Sequence, residues 1–403
     1  MSSATLINDP VNGFTRIPRG LITDIIAHPY FQRLGRIRQL GMSALVYPGA
    51  QHTRFQHSLG AFHLMQEALR VLVEKGQFLF DAEVEAAETA ILLHDVGHGP
   101  FSHVLEGIFS RGLSHEDISL RLMERMNRQL EGRLALAIKV FRGEYGARYL
   151  HELISSQVDV DRLDYLSRDS FFSGVREGNV GAARIIKMME VADDRLAINV
   201  KGLYSVENYL MSRRVMYWQV YLHKTVVAAE EVLRQALRRA KWLSMQGRMP
   251  FAPPALAFFL APSSHTSDEE LWLDRYAELE DNDILSAIKQ WCHSEDVILA
   301  HLADSFVHRR LFRVEVSDVA FPEDYVAQRR EEAAAALNVP MTAADYFVRT
   351  EEVSNSLYRA DSEGIKLLFP DGTLRDVSEV SPVIRAYAAM PPDRKFYLFT
   401  PRT

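Results

Sequence analysis

The sequence predicts a mostly α-helical protein with a smaller α+β region at its C-terminal end. Apolar residues recur at helical spacing from residue 31 to about residue 246, and most glycines and prolines fall between these stretches. Near the C-terminus, Lys366–Phe369 and Thr373–Val377 flank an Asp371-Gly372 turn, which is the pattern of a β-hairpin.

The strongest helical patterns in the first 246 residues are Ser58–Glu74, Glu83–Leu93, Ile118–Leu130 and Leu203–Met245. The segment 247–267 is rich in proline and serine and marks a candidate boundary. We therefore predict a core over residues 1–246 and a second region over residues 247–403. In this second region, residues 269–310 and 323–337 again have helical spacing, and Lys395–Thr400 is a further candidate strand.

The amino-acid composition excludes several classes of protein and of site. The chain has 403 residues, of which 47% are hydrophobic and 25% charged, as in an ordinary globular protein. Its net charge of −7 argues against nucleic-acid binding. The lone cysteine, Cys292, excludes an internal disulfide and a cysteine-based zinc site. Because no leader or membrane-spanning stretch is recognisable, we expect a cytoplasmic protein without membrane contact.

Histidines are concentrated in one part of the chain. Four of the 14, His94, His98, His103 and His115, lie within 22 residues. The first of them follows an apolar run and opens the sequence His-Asp-Val-Gly-His-Gly-Pro, where a buried helix ends in a tight turn. Clustered histidines with an adjacent carboxylate mark a candidate metal or catalytic site.

Two residues outside this cluster complete a candidate metal-ligand set. His57 lies near the start of one predicted helix, and Asp161 lies in a carboxylate-rich start of another. Together with His94 and Asp95 they provide two imidazoles and two carboxylates. This set suits Mn²⁺, Fe²⁺, Zn²⁺, Ni²⁺ or Mg²⁺ and leaves coordination positions for water and a phosphate oxygen. The residues do not choose among these metals, and an isolated His-Asp pair would more often cap a helix.

Cationic and aromatic side chains form a second group of candidate binding residues. Arg213, Tyr217, Tyr221 and Lys224 are spaced four, four and three residues apart, so one helix would carry them on one face. Such a stripe offers donors for phosphate and ring faces for a sugar or base. Alone it would more often be an ordinary amphipathic surface.

Several linked motifs, in order, resemble the HD-domain deoxynucleoside triphosphate triphosphohydrolases. The resemblance covers about residues 28–224 and implies a helical bundle of the HD type, shared by bacterial dGTPase-like enzymes and the animal enzyme that joins a SAM domain to its HD domain. The motifs are Phe31-Gln32-Arg33-Leu34, Gln39-Leu40-Gly41, Tyr47-Pro48-Gly49-Ala50, Thr53 to Gly60, His94 to His103 and Asp159 to Asp169.

The resemblance implies roles for individual residues and a reaction that releases deoxynucleoside and inorganic triphosphate. His57, His94, Asp95 and Asp161 would hold the metal, and His98, His103, His115 and Glu106 would form a catalytic cluster beside it. Arg54, Arg162, Arg213 and Lys224 would bind the triphosphate, Gln39 and Asp169 the sugar 3′-hydroxyl, and Tyr165 and Tyr221 would pack on the deoxyribose.

Other interpretations stay open at this point. The chain has Ala27 and Gly35 where the animal enzyme reads a guanine activator, so activation through that site is not expected. Another HD-type nucleotide phosphodiesterase or phosphatase, or a non-catalytic deoxynucleotide sensor, would use similar residues. The resemblance also implies a dimer or tetramer of identical chains.

Overall fold

The computed structural model describes residues 4–109, 112–262, 268–355, 358 and 364–402. Within these residues α-helices predominate, and nine strands form three small sheets. The prediction of a mostly helical protein is therefore confirmed. In the described part of the chain, no helix is both long and apolar enough to cross a membrane.

Twelve helices occupy the described residues up to 246. They are α1 Leu21–Ala27, α2 Pro29–Arg33, α3 Arg54–Glu74, α4 Asp81–Leu93, α5 Ser102–Phe109, α6 His115–Gln129, α7 Ala135–Phe141, α8 Arg148–Glu152, α9 Val160–Ser173, α10 Ala182–Met188, α11 Leu203–Met216 and α12 Lys224–Met245. The described residues beyond 246 hold α13 Pro254–Leu260, α14 Glu269–Glu278, α15 Asp281–Trp291, α16 Val297–Val307, α17 Glu323–Leu337, α18 Val377–Val380 and α19 Pro382–Ala388.

The strands form an N-terminal hairpin and two further sheets. The hairpin pairs β1 Thr5–Asp9 with β2 Gly13–Ile17. The remaining strands are β3 Met189–Ala192, β4 Arg195–Asn199, β5 Arg313–Ser317, β6 Arg349–Asn355, β7 Lys366–Leu368, β8 Leu374–Asp376 and β9 Asp393–Thr400. A four-stranded sheet has the order β3-β4-β7-β8, and a three-stranded sheet has the order β5-β9-β6.

Both predictions of C-terminal strands are confirmed. β7 and β8 pair antiparallel around the predicted turn, where Gly372 has a positive φ of 81° that favours glycine. β9 contains the whole of the candidate strand at 395–400 and is the central strand of its sheet.

The expectation of helices throughout residues 31–246 was wrong at two places. β3 and β4 form a hairpin whose turn residues, Asp193 and Asp194, both have positive φ, as a two-residue type I′ turn requires. The predicted helix at 203–245 is also interrupted: Tyr217–Tyr221 is π-helical, and α12 begins only at Lys224. The stripe from Arg213 to Lys224 therefore does not lie on one regular helical face.

One continuous hydrophobic core joins the two halves of the chain. It runs from Ile17 on β2 to Phe399 on β9, and α3 packs between α4 and α9 within it. Helix α12 packs against α16 across the proposed boundary at residue 246. The division of the chain into regions 1–246 and 247–403 stays a prediction.

Candidate metal centre and adjoining pocket

Three helices bring their ligand atoms together at one point. His57 comes from the first turn of α3, His94 caps the C-terminal end of α4, and Asp161 lies in the first turn of α9. His57 Nε2 lies 3.2 Å from His94 Nε2 and 3.0 Å from Asp161 Oδ1, and His94 Nε2 lies 3.3 Å from the same oxygen. Adjacent ligands of a six-coordinate ion, each about 2.1 Å from it, are about 3.0 Å apart. The spacing therefore fits one divalent metal ion.

Asp95 faces the same point but shares its carboxylate with a cation. Its Oδ1 lies 3.4 Å from His94 Nε2 and its Oδ2 3.7 Å from His57 Nε2. Arg54 Nη1 donates a hydrogen bond to Oδ2 over 2.7 Å. Burial would raise the pKa of Asp95, but His94, His98 and Arg54 together hold it well below its usual value. The carboxylate is therefore ionised and available as a fourth ligand.

The hydrogen bonds of the two histidines leave both Nε2 atoms facing the cluster. His94 Nδ1 lies 2.6 Å from the carbonyl oxygen of Ile91, and His57 Nδ1 lies 2.9 Å from Asp164 Oδ2. In each ring Nδ1 must carry the proton, because its neighbour is an acceptor. The Nε2 atom of a neutral ring then has a lone pair, and the lone pairs of His57 and His94 face each other. Two lone pairs at 3.2 Å repel one another unless a cation lies between them. This donor set fits a metal ion such as those expected from the sequence.

Electrostatics also favours positive charge at this point. Burial alone would lower the pKa of His57, yet its hydrogen bonds to Asp161 and Asp164 raise the pKa to about 10. Burial raises the pKa of Asp161, but His94 and His57 outweigh it and hold the pKa below its usual value. The carboxylates around His57 therefore stabilise a cation, whether it is a proton on the ring or a metal ion.

A glycine within the histidine motif allows the turn after α4 to pack closely. A Cβ atom on Gly97 would lie 2.2 Å from the carbonyl oxygen of His115 and 2.2 Å from the nitrogen of Ser119, both on α6. Ser119 Oγ donates to the carbonyl oxygen of His94 at 2.7 Å and accepts from the nitrogen of Gly97 at 2.8 Å. The glycine thus lets α6 hold the end of α4, which carries the candidate metal ligand His94.

The catalytic cluster implied by the resemblance is partly described. The rings of His98 and His115 stack with centroids 3.9 Å apart, and His98 Nε2 lies 3.3 Å from Asp95 Oδ1. His98 Nδ1 lies 2.9 Å from Ser102 Oγ, and the Ser102 hydroxyl donates to the carbonyl oxygen of Gly99 at 2.7 Å. Burial and then Arg54 lower the pKa of His98 well below its usual value. The side chains of His103 and Glu106, on α5, lie outside the described part of the structure.

The predicted phosphate-binding cations differ in their surroundings. Arg162 Nε donates to the carbonyl oxygen of Ser156 at 2.7 Å and lies 3.2 Å from Asp159 Oδ2. Arg213 is half-buried, its guanidinium lies 5.7 Å from the Tyr217 ring centroid, and it forms no ion pair with a carboxylate of the described residues. Lys224 is exposed at the start of α12.

A cavity of about 80 Å³ adjoins the metal centre through Arg54. Gln39 and Tyr221 also line it. Within the described structure, Gln39 Oε1 and Arg54 Nε are buried without a hydrogen-bond partner. Such atoms are costly unless a ligand or water satisfies them. The rings of Tyr165 and Tyr221 lie edge to face, with centroids 6.2 Å apart. The cavity therefore offers polar atoms and ring surface to a ligand.

Asp169 is already held by two side chains. His52 Nε2 lies 2.7 Å from its Oδ1, and the Tyr221 hydroxyl donates to its Oδ2 at 2.8 Å. The His52 ring in turn stacks on Phe172 with centroids 4.5 Å apart. This network positions Tyr221, and the predicted contact of Asp169 with a sugar hydroxyl stays a prediction.

Sequence reasoning missed four residues that support the site. Asp164 was recognisable, since it lies three residues after Asp161 and therefore on the same side of α9. Arg33 Nη2 donates to the carbonyl oxygen of His98 at 2.8 Å, and its motif gave no indication of this contact. Glu230 lines the cavity, and His52 contacts Asp169. No motif or spacing in the sequence around either residue indicates these positions.

Comparisons with known proteins place these features in a family context. The chain matches the HD domain over residues 54–169 and the HD associated region over residues 180–246. It is 33% identical over 402 residues to the uncharacterized protein YwfO of Bacillus subtilis, covering 96% of this chain and 90% of that protein. It is 29% identical over 279 residues to the human deoxynucleoside triphosphate triphosphohydrolase SAMHD1, covering 58% of this chain and 44% of that enzyme. The chain thus spans about half the length of the curated triphosphohydrolases that it matches.

Two solved structures share the fold over nearly the whole chain. A phosphohydrolase from Bacteroides thetaiotaomicron superposes with a TM-score of 0.95 at 50% sequence identity, covering 99% of this chain and 100% of that one. A hypothetical protein from Aquifex aeolicus superposes with a TM-score of 0.74 at 26% identity, covering 99% and 97% of the two chains.

Proposed function

Because the chain belongs to the HD-domain phosphohydrolases, we propose that it hydrolyses deoxynucleoside triphosphates to deoxynucleoside and inorganic triphosphate with a divalent metal ion. One observation carries the proposal. Arg54 donates to the metal-site residue Asp95 and also lines the cavity that contains Gln39 and Tyr221. A ligand that reaches from Asp95 into this cavity would present a phosphate to Arg54 and a sugar to Gln39 and Tyr221. The named activity of the related triphosphohydrolases supports this substrate class.

In this proposal His57, His94, Asp95 and Asp161 hold the metal. Such an ion, when bound, supplies a Lewis acid for the α-phosphate and an activated water. The two carboxylates neutralise a divalent charge, and so the triphosphate must be neutralised by side chains. Arg54, Arg162 and Arg213 have the required charge, and Lys224 adds to it from the exposed end of α12.

The remaining predicted residues would donate a proton to the leaving group and bind the deoxyribose. Of the cluster His98, His103, His115 and Glu106, His103 would deliver a proton to the leaving 5′-oxygen, since imidazole is the usual proton carrier near neutral pH and the lowered pKa of His98 leaves that ring neutral there. Gln39, with its unsatisfied Oε1, and Asp169 would bind the 3′-hydroxyl. The Tyr165 and Tyr221 rings would leave no room for a 2′-hydroxyl. A dGTP-like substrate, assembly as a dimer or tetramer and a cytoplasmic location stay predictions.

Product analysis tests the proposal. Purified protein is incubated with each deoxynucleoside triphosphate and Mn²⁺ or Mg²⁺, and the products are separated by anion exchange. We expect inorganic triphosphate and deoxynucleoside from the parent and from Glu85→Gln, an exposed change on α4, but not from Asp95→Asn on the following turn. Release of pyrophosphate or phosphate, or the absence of turnover, would contradict the proposal and favour a phosphodiesterase, a phosphatase or a sensor.

A further inference from the structure

The tip of the N-terminal hairpin is folded by one carboxylate. Asp9, the last residue of β1, is buried, and its Oδ1 accepts hydrogen bonds from the backbone nitrogens of Val11 and Asn12, both at 2.8 Å. These bonds turn the chain between β1 and β2 and fix the position of Asn12. The tip precedes the part of the chain that matches the HD domain by about forty residues.

This tip contacts α9 through two side chains. Asn12 Nδ2 lies 2.9 Å from Asp164 Oδ1, and Arg168 Nη1 lies 2.8 Å from Asp9 Oδ2. The amide must present its nitrogen to Asp164, because its oxygen would meet the carboxylate with like partial charge. Asn12 is therefore a hydrogen-bond donor to a residue that lies 152 positions away in the chain.

Asp164 is the residue that orients the metal ligand His57. Its Oδ2 accepts from His57 Nδ1 at 2.9 Å and from Arg168 Nε at 2.8 Å. Its Oδ1 accepts from Arg168 Nη2 at 3.0 Å and from Asn12. The carboxylate is fully buried, so these four donors replace water and hold its plane in place. The direction of the His57 ring depends on that plane.

We propose that the hairpin tip is an outer layer of the metal centre, in which Asn12 is a positioning residue that holds Asp164 and, through it, His57. The inference rests on the metal centre of the proposed function but not on the identity of the substrate. Residues that hydrogen-bond to metal ligands tune metal affinity because they fix the ligand's direction and basicity. Asn12 acts one bond further out, since it holds the carboxylate that holds the histidine.

Metal binding by the full-length chain, without nucleotide, tests this inference. Mn²⁺ is titrated into the protein, and the free ion is followed by electron paramagnetic resonance. The key variant is Asn12→Leu, which keeps the branched shape of the side chain but cannot donate. The matched control is Asn8→Leu, because Asn8 lies on the same hairpin and is exposed.

We expect Asn12→Leu to weaken Mn²⁺ binding about tenfold, and Asp164→Asn to weaken it on the order of tenfold to a hundredfold. Asn8→Leu should bind Mn²⁺ as the parent does. Thermal unfolding of the metal-free variants accompanies the titration, so that affinity is compared between folded proteins. If Asn12→Leu does not unfold like the parent, Asn12→Ala is used in its place.

Two results would overturn the inference: equal Mn²⁺ affinity of the Asn12 variant and the parent, or an equal loss in the Asn12 and Asn8 variants. Neither result depends on turnover. A protein that binds Mn²⁺ with the expected dependence on Asn12 but releases no triphosphate would contradict the proposed function alone.

Discussion

At the scale of single residues, Arg213 provides the clearest test of triphosphate binding. It is half-buried beside Tyr217 and has no carboxylate partner among the described residues. Its neighbour Arg214 instead pairs with Asp393 and is the matched control. We expect Arg213→Ala to raise KM for a deoxynucleoside triphosphate about tenfold to a hundredfold, because a charge-assisted hydrogen bond contributes about 1.5–3 kcal/mol. Steady-state kinetics would contradict this if Arg214→Ala had the same effect.

Glu230 makes stability depend on pH. Burial in the cavity wall raises its pKa from 4.5 to about 7, and Arg234 only partly offsets this. The folded chain therefore holds a proton that the unfolded chain releases above pH 4.5, and its stability falls as the pH rises toward 7. We expect Glu230→Gln to raise the free energy of unfolding by up to about 3 kcal/mol at about pH 8 and by much less at about pH 5. Urea titrations at both values, with Glu295→Gln at an exposed position as control, measure the difference; an equal gain at both would contradict the prediction.

At the scale of elements, the contact between α3 and α9 depends on Gly60. A Cβ atom there would lie 2.0 Å from Arg168 Nη2 and 2.1 Å from Asp164 Oδ1. Both groups are fixed by hydrogen bonds, so Gly60→Ala must separate the helices that carry His57 and Asp161. We expect a loss of about 3 kcal/mol in the free energy of unfolding together with weaker Mn²⁺ binding.

The control for this substitution is Gly146→Ala, because a Cβ atom at Gly146 would have no described neighbour within 4 Å. Denaturant unfolding measures both variants against the parent. Equal free energies of unfolding for the two variants would contradict the prediction. They would show that α3 and α9 accommodate the added Cβ atom without loss of stability.

At the scale of the whole molecule, residues of the C-terminal region hold the turn beside the candidate metal centre. Arg33 Nε donates to the carbonyl oxygen of Leu279 at 2.9 Å, and its Nη2 donates to the carbonyl oxygen of His98. The Tyr276 hydroxyl donates to the carbonyl oxygen of Gly97 at 3.0 Å. Burial lowers the pKa of Arg33 to about 10, which still leaves the guanidinium charged at neutral pH. The turn that carries the histidine motif is therefore held partly by residues beyond position 246.

The continuous core leads to a prediction about folding. Because buried residues from both halves form one cluster, the full chain should unfold in a single calorimetric transition. A fragment of residues 1–246 would expose the surfaces of α2, α12 and the histidine turn that the C-terminal helices cover. We expect this fragment to lose cooperative unfolding and Mn²⁺ binding. A fragment that unfolds cooperatively and binds Mn²⁺ would instead establish residues 1–246 as an independent domain.

The helical class, the C-terminal hairpin and three residues of the candidate metal site could all be predicted from the amino-acid sequence. Helices and tight turns arise from contacts within a few residues, and so their signals are local. His57, His94 and Asp161 were recognisable because His94 opens a cluster of histidines and because the motifs that contain all three resemble those of the HD-domain triphosphohydrolases. The structure confirms that these three meet.

The distant groups that support that site could be identified only from the packing of the folded chain. Asn12 meets Asp164, Arg33 meets the carbonyl of Leu279, and His52 meets Asp169, at separations of 152, 246 and 117 positions. No periodicity or motif spacing encodes such pairs, because they depend on how whole helices pack. The hairpin at 189–199 was missed because its strands have only four and five residues, which is too short for hydrophobic periodicity to distinguish a strand from a helix; their pairing in the folded chain decides the structure.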